Sequence, residues 1–275
     1  MLVAERPSLT SSVSADRSSS SARPARPARA DRAALLATLA AKRLDRTLTT
    51  ALPPVDPSDA LAVGATAVPA FDASLGGFPR GQLSEIVGAR SSGRTSLLMQ
   101  MLAAATARGE LAAVVDALDR FDPASALAAG VDLDRVLWIR GQVMSHPAAA
   151  RDTNQKALEQ AVKALSLVLQ AGNFGLVAFD VGEAPADALR RLPFTTWLRV
   201  QRMVEGQQAV CVLIGAGPMA RSAAGLTVNL TIARPADGRL FDGRLFTGLK
   251  VEARVIRARA HRHEDVSVRF ETKST

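Results

Sequence analysis

The run Gly88-Ala89-Arg90-Ser91-Ser92-Gly93-Arg94-Thr95 carries the chain's clearest chemistry. It matches G-x-x-x-x-G-K-[ST], a loop that wraps phosphate oxygens, at every fixed position but one. Gly88 and Gly93 let backbone N–H groups curl around an anion, and a helix opening at Thr95 turns its positive dipole end toward it. Ser91, Ser92 and Ser96 add hydroxyls, and Thr95 supplies the one that would meet Mg²⁺. The departure is Arg94, which stands where the motif has lysine. Its charge is kept, but a planar guanidinium does not replace a compact ammonium in a tight phosphate nest. The spacing predicts a phosphate loop of degenerate type, with a weakened hold on nucleotide.

Other reactive residues point to little chemistry. Cys211 lies in the apolar run Val210–Ile214 and reads as a core residue. His261 and His263 flank Arg262 with no third ligand nearby, which fits a solvated turn better than a metal site. Gly215-Ala216-Gly217 lacks the rest of a dinucleotide fingerprint and reads as a loop. Nine Phe, two Trp and no Tyr would supply a base-stacking platform only thinly.

The elements that must position the loop follow from periodicity. Gln82–Val87 reads as the strand before it and Thr95–Arg108 as the helix after it, stopped by Gly109. Strands follow at 112–116, 136–140, 175–180 and 210–214. Helices lie between them at 124–129, 151–171 and about 195–205. Leu158, Val162, Leu165 and Leu169 share one face of the long helix. Apolar strands alternating with helices imply a mostly parallel sheet covered on both faces. Near the C-terminus Leu249, Val251, Ala253 and Val255 alternate with Lys250, Glu252 and Arg254, so antiparallel strands finish the sheet.

Residues 1–30 are rich in Ser, Ala, Arg and Pro and bury almost nothing, so the expectation there is a disordered basic tail rather than a transit peptide. Residues 31–69 form an amphipathic helix and a proline-rich linker. Leu36, Leu39 and Leu44 lie on the helix stripe with Arg43 off it. The helix serves either as an arm on the chain's own core or as a docking arm for a partner. The core domain is expected over 70–275.

Charge is distributed unevenly. The chain has 34 Lys+Arg against 26 Asp+Glu, a net +8. Residues 1–49 carry +5 (nine basic, four acidic), residues 250–275 carry +3 (seven basic, four acidic), and the middle is neutral (18 of each). A uniformly basic nucleic-acid clamp is excluded. Arg254, Arg257, Arg259, Arg262 and Arg269 form the one basic cluster in the folded part, either a solvated strand face or a weak surface for DNA or an acidic partner. No apolar run reaches the ~20 residues that span a bilayer. A single cysteine leaves no disulfide framework. The expected location is the cytoplasm, away from membranes.

The chain resembles RecA over most of residues 71–234. Phe71 to Gly88, with its Gly76-Gly77-Phe78-Pro79-Arg80-Gly81 turn, looks like that family's lead-in to its phosphate loop, and Ser91-Ser92-Gly93 is the family's version of the loop. Asp116-Ala117 with Asp122-Pro123 resembles the segment that carries the catalytic glutamate. Phe179-Asp180 resembles the strand ending in the Mg²⁺-associated aspartate. The fold implied is an α/β RecA-like phosphate-loop core, and the implied cofactor, if any, is ATP with Mg²⁺, held by Thr95 and Asp180.

The departures from that pattern matter. The glutamate that would orient water falls at Leu118, with Asp119 displaced by one. Only about fourteen residues separate Asp180 from the next helix, where the family's first DNA loop belongs. Gly215-Ala216 replaces its sensor glutamine. This decay resembles ImuA-type mutagenesis proteins, which implies a non-catalytic adaptor in the SOS response and translesion synthesis. The partners implied are an ImuB-like inactive Y-family polymerase, an error-prone replicative-type polymerase complex and RecA, with weak or indirect DNA contact. The alternatives are a weak ATPase or recombinase regulator and a SulA-like cell-division inhibitor.

Overall fold

The computed structural model describes residues 63–141, 151–220, 224–233, 248–258 and 266–273. The proposed basic tail, the amphipathic arm with Leu36, Leu39, Arg43 and Leu44, the histidine pair, Arg259 and Arg262 all lie outside the described residues.

An eight-stranded sheet organises the core. Its strands are β3 (Leu83–Gly88), β4 (Ala112–Asp116), β5 (Val136–Arg140), β6 (Leu176–Asp180), β7 (Val210–Gly215), β8 (Leu226–Ile232), β9 (Gly248–Ala258) and β10 (Ser267–Lys273). Their spatial order is β10-β9-β8-β3-β7-β6-β4-β5. The six from β8 to β5 run parallel, and β9 and β10 are added antiparallel. This is the α/β fold with antiparallel C-terminal strands that the sequence pattern predicts.

Period-two alternation within the parallel strands divides the core into two layers. Ile86, Val114, Ala178 and Val212 face one side, against the helices α1 (Pro69–Leu75), α2 (Arg94–Ala107) and α3 (Pro123–Ala128). Val115, Phe179, Cys211 and Leu213 face the other, against α4 (Arg151–Ala171), α5 (Ala186–Arg191) and α6 (Phe194–Val204). Leu158, Leu165 and Leu169 of α4 are fully buried and Val162 packs beside them, so its apolar stripe is the one the sequence shows. Burial holds the Cys211 thiol's pKa up at about 12, as expected of a core residue.

Several elements escaped the periodicity. β1 (Val63–Gly64) pairs antiparallel with β2 (Phe78–Pro79), so the ordered body reaches back at least to Val63, within the stretch read as linker. Short α5 occupies the gap between Asp180 and α6. β8 inserts between β3 and β9. Among the described residues, no helix is long and apolar enough to cross a membrane.

Candidate phosphate-binding site

The phosphate loop joins the C-terminal end of β3 to α2, near the sheet's middle. That placement suits a ligand, because loops leaving parallel strands converge there. A Cβ on Gly88 would lie 2.5 Å from both the Leu230 carbonyl oxygen and the Ser92 Oγ, so only glycine lets the chain pass. Gly93 caps α2 at φ 96°, and Ser91 also takes the left-handed region at φ 59°. Among the described residues, no side-chain cap closes the first turn of α2, which leaves its N–H groups for an anion. Ser92 is buried, and its Oγ has no hydrogen-bond partner among the described residues. Thr95 and Ser96 are exposed on the first turn.

The arginine at the motif's lysine position is committed elsewhere. Arg94 is buried, and its guanidinium forms an ion pair with the Glu183 carboxylate and donates from Nη1 to the Gly182 carbonyl at 3.4 Å. Both partners belong to the turn after β6, two strands away from β3 in the sheet.

Asp180 closes β6 in register with Asp116 at the end of β4. Burial raises the Asp180 carboxyl to about 6. Asp116 and Glu183 add to the rise, while the Gly182 N–H, donating to Oδ1 at 2.7 Å, and Arg94 oppose it. Asp116 is itself occupied: its oxygens accept from Leu118 N at 3.3 Å, Phe121 N at 2.7 Å and Trp138 Nε1 at 3.3 Å, which fixes the turn after β4.

Leu118 is buried in that turn, with Cδ1 3.4 Å from where a Cβ on Gly182 would sit. Asp119 turns outward to Arg140. The segment therefore presents a hydrocarbon, not a carboxylate, to the turn that carries Asp180.

Fit to a nucleotide with Mg²⁺ is split. The backbone cradle, the unpartnered Ser92 hydroxyl and exposed Thr95 suit a phosphate. The tied Arg94, the Asp180 carboxyl at about 6 and the apolar Leu118 do not suit metal-assisted hydrolysis. Among the described residues, no three or more His, Cys, Asp or Glu cluster closely enough to hold a metal by themselves.

The described C-terminal arginines, Arg254, Arg257 and Arg269, stand in different surroundings. Arg254 is exposed on β9, whereas Arg257 is half-buried and donates to the Ala220 carbonyl at 2.9 Å. Arg269 lies 3.8 Å from Glu252. The β-bulge between β8 and β9 falls between Arg254 and Arg257.

Two carboxylates that the sequence reading passed over organise this end of the sheet. Glu183 is one. The other is Glu85, fully buried in β3, which accepts from Met219 N at 2.7 Å, Ala220 N at 2.9 Å and Thr227 Oγ1 at 3.2 Å. Its signal was present: an acidic residue in the middle of an apolar strand needs buried partners.

A mostly parallel sheet with a phosphate loop leaving a central strand defines a phosphate-loop α/β protein. More particularly, residues 55–183 are similar to the family model described as RecA N-terminal domain. Similar relatives include Protein RecA of Borrelia hermsii (strain HS1 / DAH), 40% identical over 106 residues, or 38% of this chain and 26% of the relative. Protein RecA of Chlorobium limicola is 28% identical over 158 residues, 52% of this chain and 41% of the relative. Protein RecA of Corynebacterium aurimucosum is 35% identical over 124 residues, 45% of this chain and 29% of the relative. The chain thus matches less than half the length of each of these relatives.

Proposed function

We propose that this chain is a non-catalytic RecA-like adaptor of the bacterial DNA-damage response. It acts in translesion mutagenesis and bridges an ImuB-like inactive Y-family polymerase, an error-prone replicative-type polymerase complex and RecA. The observation that carries the reading is buried Leu118, at the place where the resemblance puts a water-orienting glutamate. A leucine there can neither polarise nor orient an attacking water, and loss of such a group typically costs about 10²–10⁴ in rate. Arg94 held by Glu183 is a second, independent departure in the same site. The test is phosphate release from ATP by the purified chain, with and without single-stranded DNA. The expected result is no turnover above background in either case, together with co-purification with polymerase components. Robust DNA-stimulated hydrolysis overturns the reading.

A second reading, a nucleotide-responsive recombinase regulator, is favoured by the intact cradle at Gly88, Ser92 and Gly93. It requires binding without hydrolysis. A heat of binding for Mg·ATP in calorimetry, with no phosphate release, would select it. Co-purification with a tubulin-like division protein in place of polymerase components would instead select the SulA-like alternative.

A further inference from the structure

We infer that the Arg94–Glu183 ion pair is a built-in lock on the phosphate loop, an intrachain contact that competes with phosphate for the loop's one buried guanidinium. The inference deepens the adaptor reading and rests on it for the claim that the core is used in its locked form.

Three observations carry it. First, the two partners come from segments 89 residues apart, and the contact joins the first residue of α2 to the turn leaving β6. It therefore ties together two loops that a ligand in the cradle would touch. Second, the geometry uses what distinguishes arginine from lysine. A guanidinium fork reaches the Gly182 carbonyl with Nη1 and the Glu183 carboxylate with Nη2 at the same time, which a single ammonium on a flexible stem matches poorly. Third, the surrounding charge opposes a polyphosphate. Glu183 pairs with the guanidinium directly, and Asp180 feels Arg94 together with the carboxylates of Asp116 and Glu183, so acids outnumber the one cation there.

Competition follows from occupancy. The Arg94 side chain is only 8% exposed while that of Glu183 is 50% exposed. Arginine is thus the fixed, desolvated member and glutamate the one that can swing to solvent. Phosphate would recruit Arg94 only after Glu183 lets go. An ion pair with one half-exposed partner is a modest barrier, about a few-fold in affinity. Removing the Glu183 charge should therefore release the guanidinium without opening a cavity.

The experiment is calorimetric titration of the full chain with Mg·ADP, comparing wild type, Glu183→Gln and the double variant Arg94→Ala/Glu183→Gln. The expected result is that Glu183→Gln binds about threefold or more tightly than wild type, and that the double variant loses this gain. Glu183→Ala, which also removes the carboxylate, repeats the test should the glutamine variant fail to fold. Amide exchange supplies a second readout: residues 94–97 and 182–183 should exchange faster in Glu183→Gln than in wild type. An affinity within about twofold of wild type overturns the lock, as does a gain that persists without Arg94 or the absence of binding by every variant at millimolar nucleotide. Phosphate release is read in parallel. A gain in affinity without turnover leaves both the lock and the adaptor reading standing, whereas turnover by wild type overturns the adaptor reading whatever the affinities show.

Discussion

Arg140 holds both carboxylate oxygens of Asp119 at 2.8 Å, from the edge strand β5 to the turn after β4. The same guanidinium sits 4.6 Å above the Trp138 ring, so it is fixed on two sides. Asp119 is thereby directed outward while Leu118, its neighbour, is buried. The acid one position along the chain does not take over the role that Leu118 cannot fill.

That pairing has a direct signature. The hydrogen bond from Arg140 is the largest influence lowering the Asp119 carboxyl below its ordinary value. A depressed carboxylate contributes stability above its unfolded pKa and loses it as pH falls through the folded one. Carboxyl NMR titration should therefore place Asp119 below about 3.9, and Arg140→Gln should move it back up toward that value. A midpoint that ignores the Arg140 substitution would show that the pair does not form in solution.

Arg94→Lys restores the consensus motif but should not restore hydrolysis. The lysine would supply a point charge for phosphate, yet Leu118 would still leave water without an orienting base. A missing general base alone costs about 10²–10⁴ in rate, so phosphate release by the variant should remain at background with single-stranded DNA present. Turnover raised by lysine alone would show that the Leu118 position is not limiting.

Asp180 gives a pH prediction with an unusual sign. Its carboxyl stands at about 6 in the fold, against about 3.9 in an unfolded chain. The folded state holds the proton more tightly, so stability falls as pH rises from about 4 through about 6 and levels off above. Asp180→Asn keeps an oxygen to accept from the Gly182 N–H and removes the titration. In chelator-containing buffer it should be more stable than wild type by about 2 kcal/mol at pH 7 and nearly equal near pH 4. Urea unfolding at several pH values checks this, and equal pH slopes for the two proteins would mean that Asp180 ionises normally.

Local pattern carried most of the fold. Apolar strands, glycine stops and the Leu158–Leu169 stripe each report on a few neighbouring residues, and β3 to β7 lie within a residue or so of their expected bounds. β8 was legible and was missed: Leu226, Val228 and Leu230 alternate with Thr227, Asn229 and Thr231, and the first three are buried. The loop itself was legible because its glycines and hydroxyls are contiguous. What was not legible is which charges meet. Glu183 lies 89 residues from Arg94, and Glu85 lies 134 residues from Met219. Only strand order brings either pair together, and no spacing rule along the chain encodes that.

Glu85 decides the conformation of the segment after β7. Its Oε1 accepts two backbone N–H groups, from Met219 and Ala220, and its Oε2 meets the Thr227 hydroxyl. Arg257 holds the Ala220 carbonyl from the other side. Glu85→Ala strips partners from both backbone donors in a fully buried site, which should cost about 3–5 kcal/mol. Glu85→Gln keeps a carbonyl oxygen for both N–H groups and turns its amide toward the Thr227 oxygen, so its cost should be nearer 1 kcal/mol. Hydrogen exchange separates a local effect from a global one. The Met219 and Ala220 amides should lose protection in the alanine variant well beyond its overall loss of stability, and keep it in the glutamine variant. Equal protection in both variants would show that the segment is held by Arg257 and packing, without the carboxylate.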